Sequence, residues 1–402
     1  MRRRAHRSIA PFPGPIASDS SPEYELLRLC ARVRMKASTR DRLQQLTAHT
    51  LDWSLVTALA DEHAVTPLVY HHLTAEQLIG PSDDCAALRQ RSLANAGNSL
   101  VLTQELIHAL RLLEEAGIRA IPYKGPALAA HLYGSIALRQ FSDLDVLVKP
   151  SDARRAKAVL VENGYEPEFV LTGEQERNFL RTRTEYFWRL DRRNAAGRIP
   201  LELHWRIPST FSLDLGFWDR LRPMRLLDVE VPQFSQEDLL LILCAHGFKH
   251  GWDTLVWICD VAEILGSSSE LDWRFVFDQA RRMGGARILL LGCAMAHAVL
   301  EIELAPPVAT LIENDPAVSS LAHELQRHLV GQTLDRVGLK KNLMIRERPR
   351  DKFFYALDLA VHLTSPTPAE RTASPLTGGA GFSQYLGYPL RLARRVSHKW
   401  RR

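Results

Sequence analysis

Two aspartates one residue apart, Asp143 and Asp145, stand at the head of the apolar run Leu144-Asp145-Val146-Leu147-Val148. Side chains alternate along an extended strand, so both carboxylates project from one face, about 6.6 Å apart along the chain. Hard oxygen ligands at that spacing suit divalent ions, and magnesium typically takes one or two carboxylates together with substrate phosphates. A solvated acidic pair at a strand start would read the same on these residues alone. Glu202 lies between Leu201 and Leu203, and in a half-buried strand it faces away from both. Asp143, Asp145 and Glu202 are therefore the expected metal ligands and catalytic residues.

Phosphate binding has two candidate turns. Lys124-Gly125 follows the apolar segment AIPY, and Pro126 suits the first turn of a helix. A helix N-terminus offers unsatisfied N–H groups, and Lys124 adds a point charge. Gly134-Ser135 is the second candidate because it resembles the Gly-Ser pair that related enzymes place at the phosphate turn, although the Ala-rich residues before it read as helix. That favours Lys124-Gly125 and leaves both open.

Other polar residues near these segments carry paired readings. Arg139 either holds a phosphate or pairs with a carboxylate. His204 shares a strand face with Glu202, where it could help deprotonate an acceptor, order Glu202, or pack near Trp205. His246, Lys249 and His250 share a helix face, but a histidine pair without a third ligand is a poor zinc site. Asp260 reads as a structural partner for that face. Trp53 and His63 read as a packed aromatic and a satisfied core histidine.

The elements that must position these residues follow from periodicity. Residues 1–22 are rich in Arg, Pro and Ser and read as a disordered leader. Apolar spacing of three and four predicts helices from Glu23 to Glu115, with Gly117 closing the last. Strands are expected over 118–123 and 144–148, with a helix over 126–133 between them. A helix from Ser151 to Asn163 follows, then a hairpin of 185–191 with 200–207 around Asn194–Gly197, and a strand near 226–234. Helices return from Ser235, whose pairing with Asp238 resembles a capping box, and run to about Leu363. The fold class is α+β, with a mixed-sheet core. The expected divisions are the leader at 1–22, N-terminal helices at 23–94 and the sheet core at 95–234. C-terminal helices occupy 235–363, and a turn-rich basic tail occupies 364–402.

Composition sets limits. The chain of 402 residues is 46% apolar and 24% charged, as in an ordinary soluble protein. No apolar run reaches the roughly 18 residues of a membrane span, and no apolar stretch follows the N-terminal arginines as a secretory signal would require. The five cysteines are scattered and never spaced as CxxC, which fits a reducing cytoplasm better than a disulfide framework. The net charge is +5, with arginines crowded at both ends, where they could touch phosphate or an anionic surface.

The segments KGPALAAHLYGSIALRQFSDLDVLV, LELHW and HGFKHGWDTLVWICD together resemble the uncharacterised bacterial family within the polymerase-β-like nucleotidyltransferases. The resemblance runs over about residues 25–397. It implies transfer of a nucleoside monophosphate from a nucleoside triphosphate, ATP first among them, with two magnesium ions, or manganese as the alternative. It also implies that a helical region closes over the nucleotide, with Lys249 at the triphosphate and His246 and His250 lining the cleft. The acceptor is unspecified, a small molecule or biosynthetic intermediate in this reading. The alternatives are a toxin-like enzyme acting on RNA or protein, and a non-catalytic nucleotide-binding relative.

Overall fold

The computed structural model describes residues 21–79, 85–181, 187–194, 197–207, 216–267, 271–329 and 339–364. The Arg-rich leader up to residue 20 and the basic tail from residue 365 lie outside the described residues. Four helices come first: α1 (Pro22–Cys30), α2 (Ala37–Thr47), α3 (Trp53–Glu62) and α4 (Thr66–Ala75). Local signals start them. The Ser21 hydroxyl accepts the Tyr24 N–H at 3.2 Å, and Asp52 accepts the Ser54 and Leu55 N–H groups at 3.0 Å. The long α5 (Ala86–Glu115) ends where Gly117 turns to φ +67, a conformation that costs glycine least.

The sheet region then runs β1 (Ala120–Pro122), α6 (Gly125–Tyr133), β2 (Leu144–Val148), α7 (Ala153–Glu162) and β3 (Tyr165–Pro167). It continues through α8 (Gly173–Arg181), β4 (Phe187–Asn194) and β5 (Gly197–His204). In space the five strands lie in the order β1-β2-β5-β4-β3. Only the β2–β5 pairing is parallel; the others are antiparallel. The expected hairpin around Asn194–Gly197 is present, with those two residues paired.

Two local expectations are corrected. The strand expected near 226–234 is a separate two-stranded ribbon, β6 (Arg222–Leu226) and β7 (Val229–Gln233). The chain reverses at Leu227, whose φ is +54. Neither Leu227 nor Asp228 is a glycine, so the turn carried no usual signature. The cap of α7 is Asp152 rather than Ser151, and no side chain bonds its first amides.

The C-terminal helices are α9 (Gln236–Lys249), α10 (Leu255–Leu265), α11 (Trp273–Met283) and α12 (Ala286–Leu300). They continue as α13 (Pro306–Glu313), α14 (Pro316–Leu329), α15 (Leu339–Ile345) and α16 (Pro349–Thr364). The Ser235 hydroxyl accepts the Asp238 N–H at 3.2 Å, as the capping pattern predicted. No described helix is long and apolar enough to cross a membrane. All five cysteines are free and buried.

Two cores meet at the sheet. Leu144, Val146, Val148, Leu201, Leu203 and Trp205 face α5 and α7. On the other side, Ile121, Tyr123 and Leu147 join a core shared by α1, α3, α4 and the helices from α9 to α14. The helices before and after the sheet are thus packed together. Arg28 donates to the Val299 carbonyl at 3.1 Å and to Glu301 at 2.7 Å, and Val256 N–H donates to the His63 carbonyl at 3.2 Å. Trp53 packs against this core. His63 is buried as expected, and among the described residues its Nδ1 meets no hydrogen-bond partner.

His63 and His72 are each 4% exposed, and burial pushes both below the ordinary imidazole value of 6.5. Their neutral forms therefore stabilise the fold fully above that value, and this contribution is lost as pH falls toward the folded values. Urea titrations from pH 7 to 5.5 should show falling unfolding free energy, by up to about 1.4 kcal/mol per pH unit for each histidine. A flat profile would mean that these rings take up protons without cost.

Candidate active site

Parallel pairing sets Asp145 beside Glu202 and Leu147 beside His204. Because both strands send Leu144, Val146, Leu201 and Leu203 into one core, Asp145, Glu202 and His204 must project from the opposite face. There the Lys124 Nζ lies 2.8 Å from Asp145 Oδ1, and His204 Nε2 lies 3.0 Å from the same oxygen. His204 Nε2 is also 3.2 Å from Glu202 Oε2. One imidazole nitrogen thus bridges two carboxylates.

The electrostatics follow from this packing. Burial works to raise Asp145, but Lys124 and His204 outweigh it and hold the carboxyl well below its usual range. Asp143 is pushed up, first by burial and then by the like charge of Asp145, with Glu202 adding to it and Lys124 offsetting only part. Three carboxylates in Coulomb reach of one another, one of them raised by burial and then by repulsion, form a site that a bound cation would relieve. Their hard oxygens fit a magnesium-class ion. The ligand atoms of Asp145, Glu202 and His204 lie within 4.8 Å of one another. Asp143, an expected ligand, stands outside that compact trio and acts on it through charge. His204 is buried between two carboxylates, so of its three sequence readings the geometry matches the ordering of Glu202.

The two candidate phosphate turns lie at opposite ends of one helix. Lys124 caps α6, and Gly125 opens it at φ +55. A Cβ on Gly125 would come within 3.2 Å of the Asp143 carbonyl oxygen, so the turn lies directly against the carboxylate strand. Gly134 ends the same helix at φ +67 with open space around it, and the Ser135 hydroxyl accepts the Ala137 N–H at 3.3 Å. Nine residues of helix separate the two turns by about 13 Å.

Arg139 is buried and gives its fork to Asp260, at 2.8 Å from Nε and 2.7 Å from Nη2. The Tyr133 hydroxyl donates to the same carboxylate at 2.7 Å. Burial opposes the charge on Arg139, but Asp260 more than restores it and holds the guanidinium above its ordinary value. The group that would grip a phosphate is therefore committed to a carboxylate, and it ties the loop before Asp143 to α10.

The end of α9 presents His246, Lys249 and His250. The Trp252 N–H donates to the Gly247 carbonyl at 2.9 Å and the Gly251 N–H to the Phe248 carbonyl at 3.1 Å. With Gly251 at φ +76, this is a Schellman helix end, and it turns the Trp252 ring back onto Gly247. The His246 and His250 rings are 4.6 Å apart and reach Trp257 at 5.5 and 4.9 Å. Burial first, then the cations Lys124 and Lys249, push His246 far down; burial, Lys249 and Lys124 bring His250 to about 4. Both are neutral at pH 7. Among the described residues no third metal-ligating side chain joins them. Lys249 is exposed on the same turn.

Sequence reasoning missed Tyr123 and Trp257. Tyr123 is buried edge-on against His204 at 5.2 Å, with Lys124 Nζ 5.2 Å above its ring. Its only signal was its place next to Lys124 at the end of an apolar strand.

A mixed sheet with carboxylates on adjacent strands at a helix N-terminus, flanked by helices, defines a nucleotidyltransferase-like class. The chain belongs to the uncharacterised nucleotidyltransferase family, whose match runs over residues 49–301. That is shorter than the span of the motif resemblance, but it includes every site residue above. A crystal structure of an antigenic nucleotidyltransferase-like protein from Paracoccidioides brasiliensis is similar at 14% identity and a TM-score of 0.32, covering 55% of this chain and 91% of that one. A likeness this faint carries no argument. No curated protein matches.

Gly247 permits the helix end that presents the two histidines. A Cβ there would lie 2.4 Å from Trp252 Cζ3. Gly247→Ala should cost about 1–3 kcal/mol by overpacking. Gly97→Ala, in open space on α5, should stabilise by about 0.5–1 kcal/mol. Chemical denaturation of both variants checks the contrast, and equal stabilities would show that Trp252 yields.

Proposed function

We propose that this protein moves a nucleoside monophosphate from a nucleoside triphosphate, ATP in our reading, onto a small-molecule or biosynthetic acceptor, in a reaction that needs divalent metal. One observation carries the reading: Asp145 and Glu202 sit side by side on adjacent parallel strands, and Asp143, just before the first of them, lies against the N-terminus of α6. Asp143, Asp145 and Glu202 would hold two magnesium ions, with manganese as the alternative, and such ions when bound neutralise phosphate charge and activate an acceptor hydroxyl.

The chain's own residues do the rest. Lys124 brings a positive charge to the turn. Gly125 leaves the first amides of α6 open to phosphate oxygens, where a side chain would intervene. His204 is a positioning residue, because it fixes the spacing of Asp145 and Glu202. The Arg139–Asp260 pair holds the loop that delivers Asp143. Lys249 belongs in this reading to the triphosphate side, with His246 and His250 along the cleft. Such catalysis is mostly placement and charge neutralisation. Five buried, free cysteines support a cytoplasmic setting.

The carboxylates test this first. Asp143→Asn and Asp145→Asn should each lower nucleotide transfer by more than about 100-fold, beyond the 10- to 100-fold that loss of an outer-shell partner such as His204 costs. Turnover of a radiolabelled nucleotide onto hydroxyl compounds reads this out, and wild-type activity in either variant would sink the assignment.

The phosphate turn is tested separately. Gly125→Val should abolish magnesium-dependent ATP binding, because a β-branched side chain at φ +55 is strained and crowds Asp143. Ser135→Ala should leave binding within about twofold, since a neutral surface hydrogen bond contributes little. Titrations with parallel melts decide it: a folded Gly125→Val protein with normal affinity would move the cradle to Ser135.

A further inference from the structure

We propose that Trp257, with His246 and His250 beside it, is the surface on which the base of the bound nucleotide stacks. This rests on the triphosphate reading above. The starting point is the pattern of burial. Along α10, Leu255, Val256, Ile258, Cys259, Val261, Ala262 and Ile264 are buried, while Glu263 and Leu265 near its end are only partly so. Trp257 is likewise half-buried, packed against the core on one side and open on the other. It shares its surface with His250, whose ring is partly covered at the helix end, and with the half-buried His246, ring to ring at 4.9 and 5.5 Å. Three flat side chains from two helices therefore offer solvent one aromatic patch.

The patch is fixed relative to the carboxylates by short contacts. Asp260 lies three residues after Trp257 on α10 and is held by Arg139 and by the Tyr133 hydroxyl. Arg139 leads directly into Asp143, and Tyr133 ends the helix that Lys124 and Gly125 begin. The charges that act on the His246 and His250 rings include Lys124 and Asp145, so the patch and the phosphate turn share one electrostatic neighbourhood. The two imidazoles are neutral there, and the indole is neutral always. The three rings themselves carry no charge for phosphate, which Lys249 on the same turn supplies, and they suit the π-face of a base, which stacks on aromatic rings whatever its identity.

The discriminating pair of ligands is ATP and inorganic tripolyphosphate, each titrated with magnesium by calorimetry. Wild type should bind ATP more tightly than tripolyphosphate. Trp257→Ala should weaken ATP by about 5- to 100-fold, the range for one lost stacking partner, and change tripolyphosphate by less than about twofold. Trp257→Phe should recover most of the ATP affinity. His250→Ala, at an exposed helix end, gives the same pattern with less risk to the fold, at a smaller factor. Equal losses for both ligands, or unchanged ATP affinity in folded Trp257→Ala, would overturn the platform. A wild type that binds tripolyphosphate as tightly as ATP also overturns it, while leaving the phosphate site standing. A wild type that binds neither ligand removes both readings.

Discussion

The parallel pairing of β2 with β5 governs the rest of the molecule. Parallel neighbours cannot be joined by a tight turn, so the chain must leave β2, cover the sheet, and return. Here α7, β3, α8 and β4 make that excursion. The result is that Asp145 and Glu202, far apart in sequence, stand side by side on one face. A shift of register by one residue would send these carboxylates into the core of α5 and α7, and Leu201 and Leu203 out of it. The apolar side of the strands therefore fixes the polar side.

Placing so much charge under helices has a cost, and the surroundings offset it. An unpaired buried carboxylate is strongly disfavoured. Asp145 is accordingly tied to Lys124 and His204, and Asp260 to Arg139 and Tyr133. These two clusters hold different things. The first gathers the acidic residues of the site, where burial and then the charge of Asp145 raise Asp143. The second is complete, with both carboxylate oxygens used, and it locks α10 to the loop that enters β2. Between them lies α6, whose N-terminus serves the first cluster and whose last tyrosine serves the second.

The helical walls depend on close backbone packing. Trp252 is fully buried at φ +55, with its ring against Gly247 of α9 and close to Gly292 of α12. Glycine at both positions is what lets these helices approach the ring. That packing sets where α9 ends, and so where His246 and His250 emerge. The helices before the sheet contribute to the same core, through Arg28, Val33 and His63. The long α5 runs unbroken past residue 95, so the first helices and the sheet are joined by one rigid rod.

Much of this was legible in the sequence. The run LDVLV is β2 residue for residue, and Ser235, Gly117 and Gly125 mark helix ends by local chemistry that needs no partner. The alternation of Glu202 with leucines is enough to put it on the face opposite the core. Other features were not legible, because each is a relation between distant segments. Arg139 could have faced phosphate or carboxylate, and only the approach of α10 brought Asp260 to it. His204 could have served an acceptor, ordered Glu202 or packed near Trp205, and only the approach of β2 brought Asp145 to it. Trp257 drew no reading at all, since nothing local says which side of an apolar helix will be left uncovered. Backbone geometry and burial pattern are encoded over a few residues, so the sequence determined the elements and the faces of their side chains. Which charge meets which is settled only when elements far apart in the chain are forced together by their apolar sides, and that the tertiary structure decided.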